Sequence, residues 1–313
     1  MTSNYHTPIA NGAAANATTF NTPLSSLDTQ VTANAADIVA LQAVSFDPAG
    51  LNPQARLSLS STLAVTTADV TAATTLYLHP FRGSFVPIYD GANWQARALS
   101  AAVSIAIPAT TSTVYDVYAY WTGAAIALEL VAWSSGTARA TALTTQNGIN
   151  VKTGDATRRY MGTIRTTTVS GQCEDSLTSR FLWNMYNRHP RALERQDSTA
   201  SWVYTIATYR QANANTANRV QVVLGLSEDI VDVEVMIPSV STAFNAVGVG
   251  LDSTTVNSAG LQTNSATHFC VVTARYKNFP GIGYHALNWI ELGGSSGTTT
   301  WFGPGGISGT VWA

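Results

Sequence analysis

The sequence predicts a mainly β protein: a short N-terminal coiled-coil helix followed by two β-rich domains, a barrel or sandwich and then a jelly-roll-like sandwich. Three observations carry this. Apolar residues recur at heptad spacing between 24 and 41, short alternating strands separated by turn dipeptides fill the chain beyond residue 57, and only 11% of residues are charged. Ordinary soluble domains carry roughly 25% charge, so the surface here must be built largely from Ser, Thr, Asn and Gly.

The leader TSNYHTPIANGAAANATTF is rich in Ala, Asn and Thr and has no lysine, arginine or acid. Thr22-Pro23 reads as a helix start, with Thr22 as N-cap and Pro23 at the first helical position. Residues 1–23 are expected to be an attachment peptide and 24–44 a coiled-coil stem. In that stem Leu24, Val31 and Ile38 fall at a positions, and Leu27, Asn34 and Leu41 at d. Taken alone, β-branched a positions with leucines at d lean toward a two-stranded coil, and Asn34 fixes register. A helix of this length is marginal in isolation, so the β domains are expected to share the oligomer interface.

Two prolines and a glycine make 45–56 a linker. A proximal β domain is expected over 57–185, with strands such as TLAVTT, VYDVYAYW and RRYMGTIRTT, and turns at Asp90-Gly91 and Asn147-Gly148. The aromatic, arginine-rich RFLWNMYNRHPR at 180–191 reads as a bridging strand, and 186–196 as a linker. Residues 197–313 offer strands for a distal β-sandwich, including WVYTIATYRQ and HFCVVTARYK. The clearest is IVDVEVMIP, where Val231, Val233, Val235 and Ile237 point one way and Asp232, Glu234 and Met236 the other.

Net charge is −2, so no global field draws nucleic acid, and no apolar run is long enough for membrane insertion. Cys173 and Cys270 form no ligand or disulfide pattern, and Cys270 sits in a strand-like segment as a small apolar group. The five histidines are scattered outside any HExxH or nucleophile-elbow setting. Adjacent acids such as Glu174/Asp175 and Glu228/Asp229 are expected to hold arginines or cap turns. No catalytic residue, metal ligand or cofactor site is therefore expected. Binding is expected on polar loops of the distal domain, with Arg210, Asn213, Asn215, Asn257 and Asn264 as first contacts. The aromatic-rich ending adds Trp301 as a sugar-stacking candidate, against the alternative that such tryptophans are core.

Three stretches resemble tail-fibre-like and head-fibre-like virion proteins of tailed bacteriophages. They are the leader and stem NYHTPIANGAAANATTFNTPLSSLDTQV, the run TRRYMGTIRTTTVSGQCEDSLTSRFLWNMYNR, and the glycine-rich ending WFGPGGISGTVWA. The resemblance implies a homotrimer docked through residues 1–23 onto other virion proteins of the tail or capsid. It also implies a receptor-binding domain at 197–313 that mediates adhesion to a host-surface glycan. The extended shaft of the usual fibre is missing from this chain, which keeps a capsid decoration, cement or head-fibre role as the alternative. A polysaccharide-cleaving tailspike is the third reading; it needs a carboxylate pair along a groove.

Overall fold

A computed structural model of the chain describes residues 17–45, 52–265, 268–294 and 297–313, with helix side chains described from 24 to 38. Residues 1–16 of the expected attachment peptide 1–23, the side chains of its remainder, the side chain of Leu41 and residues 46–51 of the 45–56 linker lie outside the described residues. The chain divides into two compact units, Met1–Gly50 and Leu51–Ala313.

The first unit holds one α-helix, Ala17–Ser45, of 29 residues. It begins earlier than expected, so Thr22 is not its N-cap and Pro23 lies inside it. Proline lacks an amide hydrogen, which removes one i→i−4 bond there while the turns on either side continue. The helix is held by local bonds: Thr29 Oγ1 and Thr32 Oγ1 donate to the carbonyls of Ser25 and Asp28, at 2.8 and 2.9 Å. Asn34 Oδ1 accepts from Gln30 Nε2 at 3.0 Å. No acid in the first turn or base in the last complements its dipole.

The second unit is mainly β. Small sheets come first: one of Ala55–Ser58, Thr75–Pro80 and Val103–Ala106, and a hairpin of Phe85–Tyr89 with Trp94–Ala98. A six-stranded sheet centres on Val114–Trp121 and Asp155–Arg165. Leu57, Leu78, Val86, Val117, Met161 and Ile164 fill the core these sheets share. The expected strand TLAVTT does not form. Ala55–Ser58 pairs with Thr75–Pro80 instead, and Ser58 Oγ donates to the Leu63 carbonyl at 2.6 Å to close the intervening loop.

Two larger sheets face a second core. The seven-stranded sheet runs Pro190–Asp197, Gly305–Trp312, Val231–Ser241, Cys270–Asn278, Leu261–Gln262, with Ser201–Tyr204 and Thr299–Phe302 joined alongside. In the eight-stranded sheet, Arg219–Leu224, Gly283–Leu292 and Asn245–Leu251 are central. Val233, Val235 and Ile307 from the first meet Val222, Val249 and Trp289 from the second. The alternation in Val231–Ser241 is as expected: the four apolar residues from Val231 to Ile237 are buried, while Glu234 and Met236 are exposed.

The expected division at 57–185 and 197–313 gives way to a single compact β unit. Cys173–Asp175 and Ser179–Arg180, from the first block, belong to the eight-stranded sheet, where Ser179–Arg180 runs parallel to Arg219–Leu224. Trp183 is fully buried in the second core, stacked 6.3 Å from Tyr160, and leaves no room for a Cβ at Gly225. Most of the expected linker at 186–196 is the strand Pro190–Asp197, laddered against Gly305–Trp312. The cause lies in RFLWNMYNRHPR: Phe181, Leu182 and Trp183 carry too much apolar surface for a bridge and bury it. Asp175 then anchors Arg180 and Arg191, at 2.9 and 2.7 Å.

Candidate binding surface

The expected contact residues cluster where the chain crosses between the two large sheets. WVYTIATYRQ is not one strand: Ser201–Tyr204 lies in the seven-stranded sheet and Arg210–Gln211 in the eight-stranded sheet. Between them the Tyr204 hydroxyl donates to the Thr208 carbonyl at 2.8 Å and closes the turn. Arg210 then lies over the Tyr204 ring, 3.8 Å from its centroid.

Beneath Arg210 sits Glu291, 1% exposed. Its Oε1 accepts from Arg210 Nε at 2.8 Å and from the Asn213 amide at 3.1 Å, and its Oε2 accepts from Trp202 Nε1 at 2.7 Å. Burial pushes the Glu291 carboxyl up from its ordinary range, against the lowering effect of these donors. Asn213 adopts the left-handed conformation that asparagine tolerates, with φ 54°. Its Nδ2 donates to Asp197 Oδ2 at 3.2 Å and Thr199 Oγ1 at 3.1 Å. Burial would raise Asp197 too, but hydrogen bonds from Asn218, Thr199 and Asn213 outweigh it and hold this carboxyl well below the usual range.

Other candidate residues serve their own loops. Asn215 Oδ1 accepts from the Ala217 amide at 3.0 Å. Asn257 Oδ1 accepts from the amides of Val249 and Ala259, at 3.1 and 3.0 Å. Its Nδ2 donates to Gln262 Oε1 at 2.7 Å, and Gln262 Nε2 donates to the Tyr209 hydroxyl at 2.7 Å. This chain joins the 252–263 loop to the turn before Arg210. Asn264 stands exposed in the short strand Asn264–Ser265 and pairs with Ala246. Arg210, Asn213 and Asn257 are thus brought together as scaffold, and Asn264 stands apart. Tyr209, Gln262 and Glu291 complete the network; among these, only Tyr209, adjacent to Arg210, could have been singled out from the sequence.

Trp301 is no contact residue: it is fully buried, as is Trp289, because both point from their strands into the core. Among the described residues the exposed aromatics are Phe85, Phe244, Phe269, Phe279 and Trp312. Glu228 and Asp229 both grip Arg188, each at 2.6 Å, as adjacent acids were expected to do. His285 Nδ1 lies 2.8 Å from Asp252 Oδ2, with the imidazole buried. Among the described residues no three His, Cys, Asp or Glu side chains are grouped to hold a metal ion, and both cysteines are free thiols. No described helix is long and apolar enough to cross a membrane.

The chain matches no known protein family and no curated protein sequence. A crystal structure of the Bacillus thuringiensis insecticidal crystal protein Cry7Ca1 (wild type) aligns at 8% identity with a TM-score of 0.16, covering 83% of this chain and 50% of that one. This chain therefore spans about half that protein's length, and a likeness so slight carries no argument about fold or activity.

Proposed function

We propose that this chain is a virion protein of a tailed bacteriophage, a homotrimeric fibre or spike that docks through residues 1–23 and adheres to a host-surface glycan. In this reading the two large sheets form a jelly-roll-like sandwich within the single β unit. Adhesion needs no cofactor and no covalent step. Weak contacts are multiplied by three copies on one particle.

The observation that carries the reading is the exposed apolar stripe of the helix. Leu24, Leu27, Val31 and Ile38 are 63%, 48%, 60% and 56% exposed, separated by Ser, Thr, Asp, Gln, Asn and Ala. At 100° per residue these positions, with Asn34, fall within a sector about 80° wide, a narrow seam of the kind that packs helix against helix. A solitary helix of this composition is marginal in water, and packing the stripe against copies of itself removes that surface from solvent. Sedimentation equilibrium of the full chain tests this. The expected particle contains three 33.1 kDa chains; a monomer at micromolar concentration would overturn the proposal.

A further inference from the structure

The outer face of the seven-stranded sheet is read most directly through its register. One row across it is Glu194, Ser308, Glu234, Arg275. The row on one side is Gln196, Gly306, Met236, Thr273, and on the other Ala192, Thr310, Asp232, Lys277. Between Gly306 and Thr310 this strand presents only Gly306, Ser308 and Thr310 outward, beside the longer Gln196 and Glu194 on one neighbour and Met236, Glu234 and Asp232 on the other. Small residues in file between larger ones leave a trough. Two concavities lie along it, about 180 Å³ over Gly306 and about 320 Å³ over Gly309 and Thr310, and Ser308 lines both.

The walls of this trough are chemically distinctive. Asp232 is neutralised by Arg275 at 2.6 Å and Lys277 at 3.4 Å. Glu194 accepts from Gln196 Nε2 at 2.5 Å and has no cationic partner among the described residues, whereas exposed Glu234 forms no close ion pair but lies opposite Arg275 in the ladder and is attracted by it. These two glutamates flank Ser308 two strand spacings apart, roughly 10 Å between backbones. Along the same line, Thr299–Phe302 continues the Gly305–Trp312 strand beside Val231–Ser241. The trough thus ends at Phe302, whose ring lies 5.8 Å from that of exposed Phe269, and at half-exposed Trp312 on the other side.

The geometry points to this trough as the glycan-binding site of the adhesion proposed above, on which it rests, and to an uncharged oligosaccharide laid along Gly305–Trp312. The Glu194 and Glu234 carboxylates can accept hydrogen bonds from vicinal hydroxyls, and the Ser308 hydroxyl both donates and accepts. Gly306 and Met236 offer an apolar floor to the C–H face of a sugar, and the aromatic ends offer stacking surfaces. Sialylated or uronic-acid glycans would meet three carboxylates, Glu194, Glu234 and Asp232, against two cations, Arg275 and Lys277, and so a net negative wall. A peptide strand finds no open backbone here, because the Gly305–Trp312 strand is laddered on both edges, so strand addition is closed to it. Asn213, Asn215 and Asn257, by contrast, use their side chains in internal bonds.

The test is binding of the full-length protein to a printed array of neutral hexose and N-acetylhexosamine oligosaccharides, with sialylated and uronic-acid glycans on the same surface. Glu234→Gln and Ser308→Tyr, both at exposed positions, are compared with the unmodified chain, and unchanged melting temperatures establish that they fold. The expected result is binding to neutral glycans only, with apparent affinity at least tenfold weaker in each variant. Binding unchanged in both variants, or confined to acidic glycans, overturns the trough and leaves adhesion standing. If the unmodified protein binds nothing on the array, both fall.

Discussion

Replacing Arg210 by alanine separates a residue that holds the fold from one that meets a partner. Its partner Glu291 is 1% exposed and, without Arg210, keeps only two neutral donors, Trp202 Nε1 and the Asn213 amide. Removing one member of a buried ion pair costs about 3–5 kcal/mol, because the charge left behind has lost its compensation. The Arg210 side chain is 32% exposed, so water can enter the vacated space, and a value near the lower end, about 3 kcal/mol, is expected. The loss should depend on pH in a defined direction. Burial already raises the Glu291 carboxyl, and Arg210 is one of the groups that lower it. Removing Arg210 moves it further above its unfolded value, about 4.3. A folded group with a raised pKa contributes stability that is fully present below the unfolded pKa and is lost as pH rises through the folded one. Urea denaturation followed by tryptophan fluorescence should therefore show a larger deficit at about pH 8 than at about pH 5. A deficit under about 1 kcal/mol, or one equal at both pH values, would refute the scaffold assignment.

Val31→Asp places a charge in the exposed stripe of the helix; sedimentation should show dissociated chains while the near-ultraviolet signal of the β unit is retained. Asp197→Asn removes a carboxyl held low by Asn218, Thr199 and Asn213. Such a group contributes stability above its unfolded pKa, about 3.9, that is lost as pH falls, so acid titration of the variant should show a shallower loss of stability than the unmodified protein. Trp301→Ala empties a fully buried site and should lower unfolding free energy by about 3–5 kcal/mol; a loss below 1 kcal/mol by denaturant titration would return Trp301 to the surface.

The β class and strands with clear alternation were legible because alternation is a local property. Val231 to Ile237 shows this best: period-two burial in the sequence is period-two burial in the sheet. The helix was legible for the same reason, its apolar residues recurring at heptad spacing. The helix start was not, because Thr22-Pro23 is a favourable cap whose competitor, a longer helix running through the proline, differs by only one backbone bond. Side-chain roles in the loops were less legible still. Arg210 and Asn213 are polar residues in a polar loop, and nothing local says that Glu291, some eighty positions away, is buried beneath them.

By itself, then, the sequence determined what short-range periodicity and composition encode: strands, turns, a striped helix and a surface poor in charge. Only the tertiary structure decided how the strands are shared out. A ladder between Ser179–Arg180 and Arg219–Leu224, and another between Pro190–Asp197 and Gly305–Trp312, fuse two expected domains into one. It also decided that Trp301 faces inward and that Glu194 and Glu234 flank the same serine. Pairing between distant strands depends on which faces can bury most apolar surface together, a property of the assembled layers that no window of neighbouring residues contains.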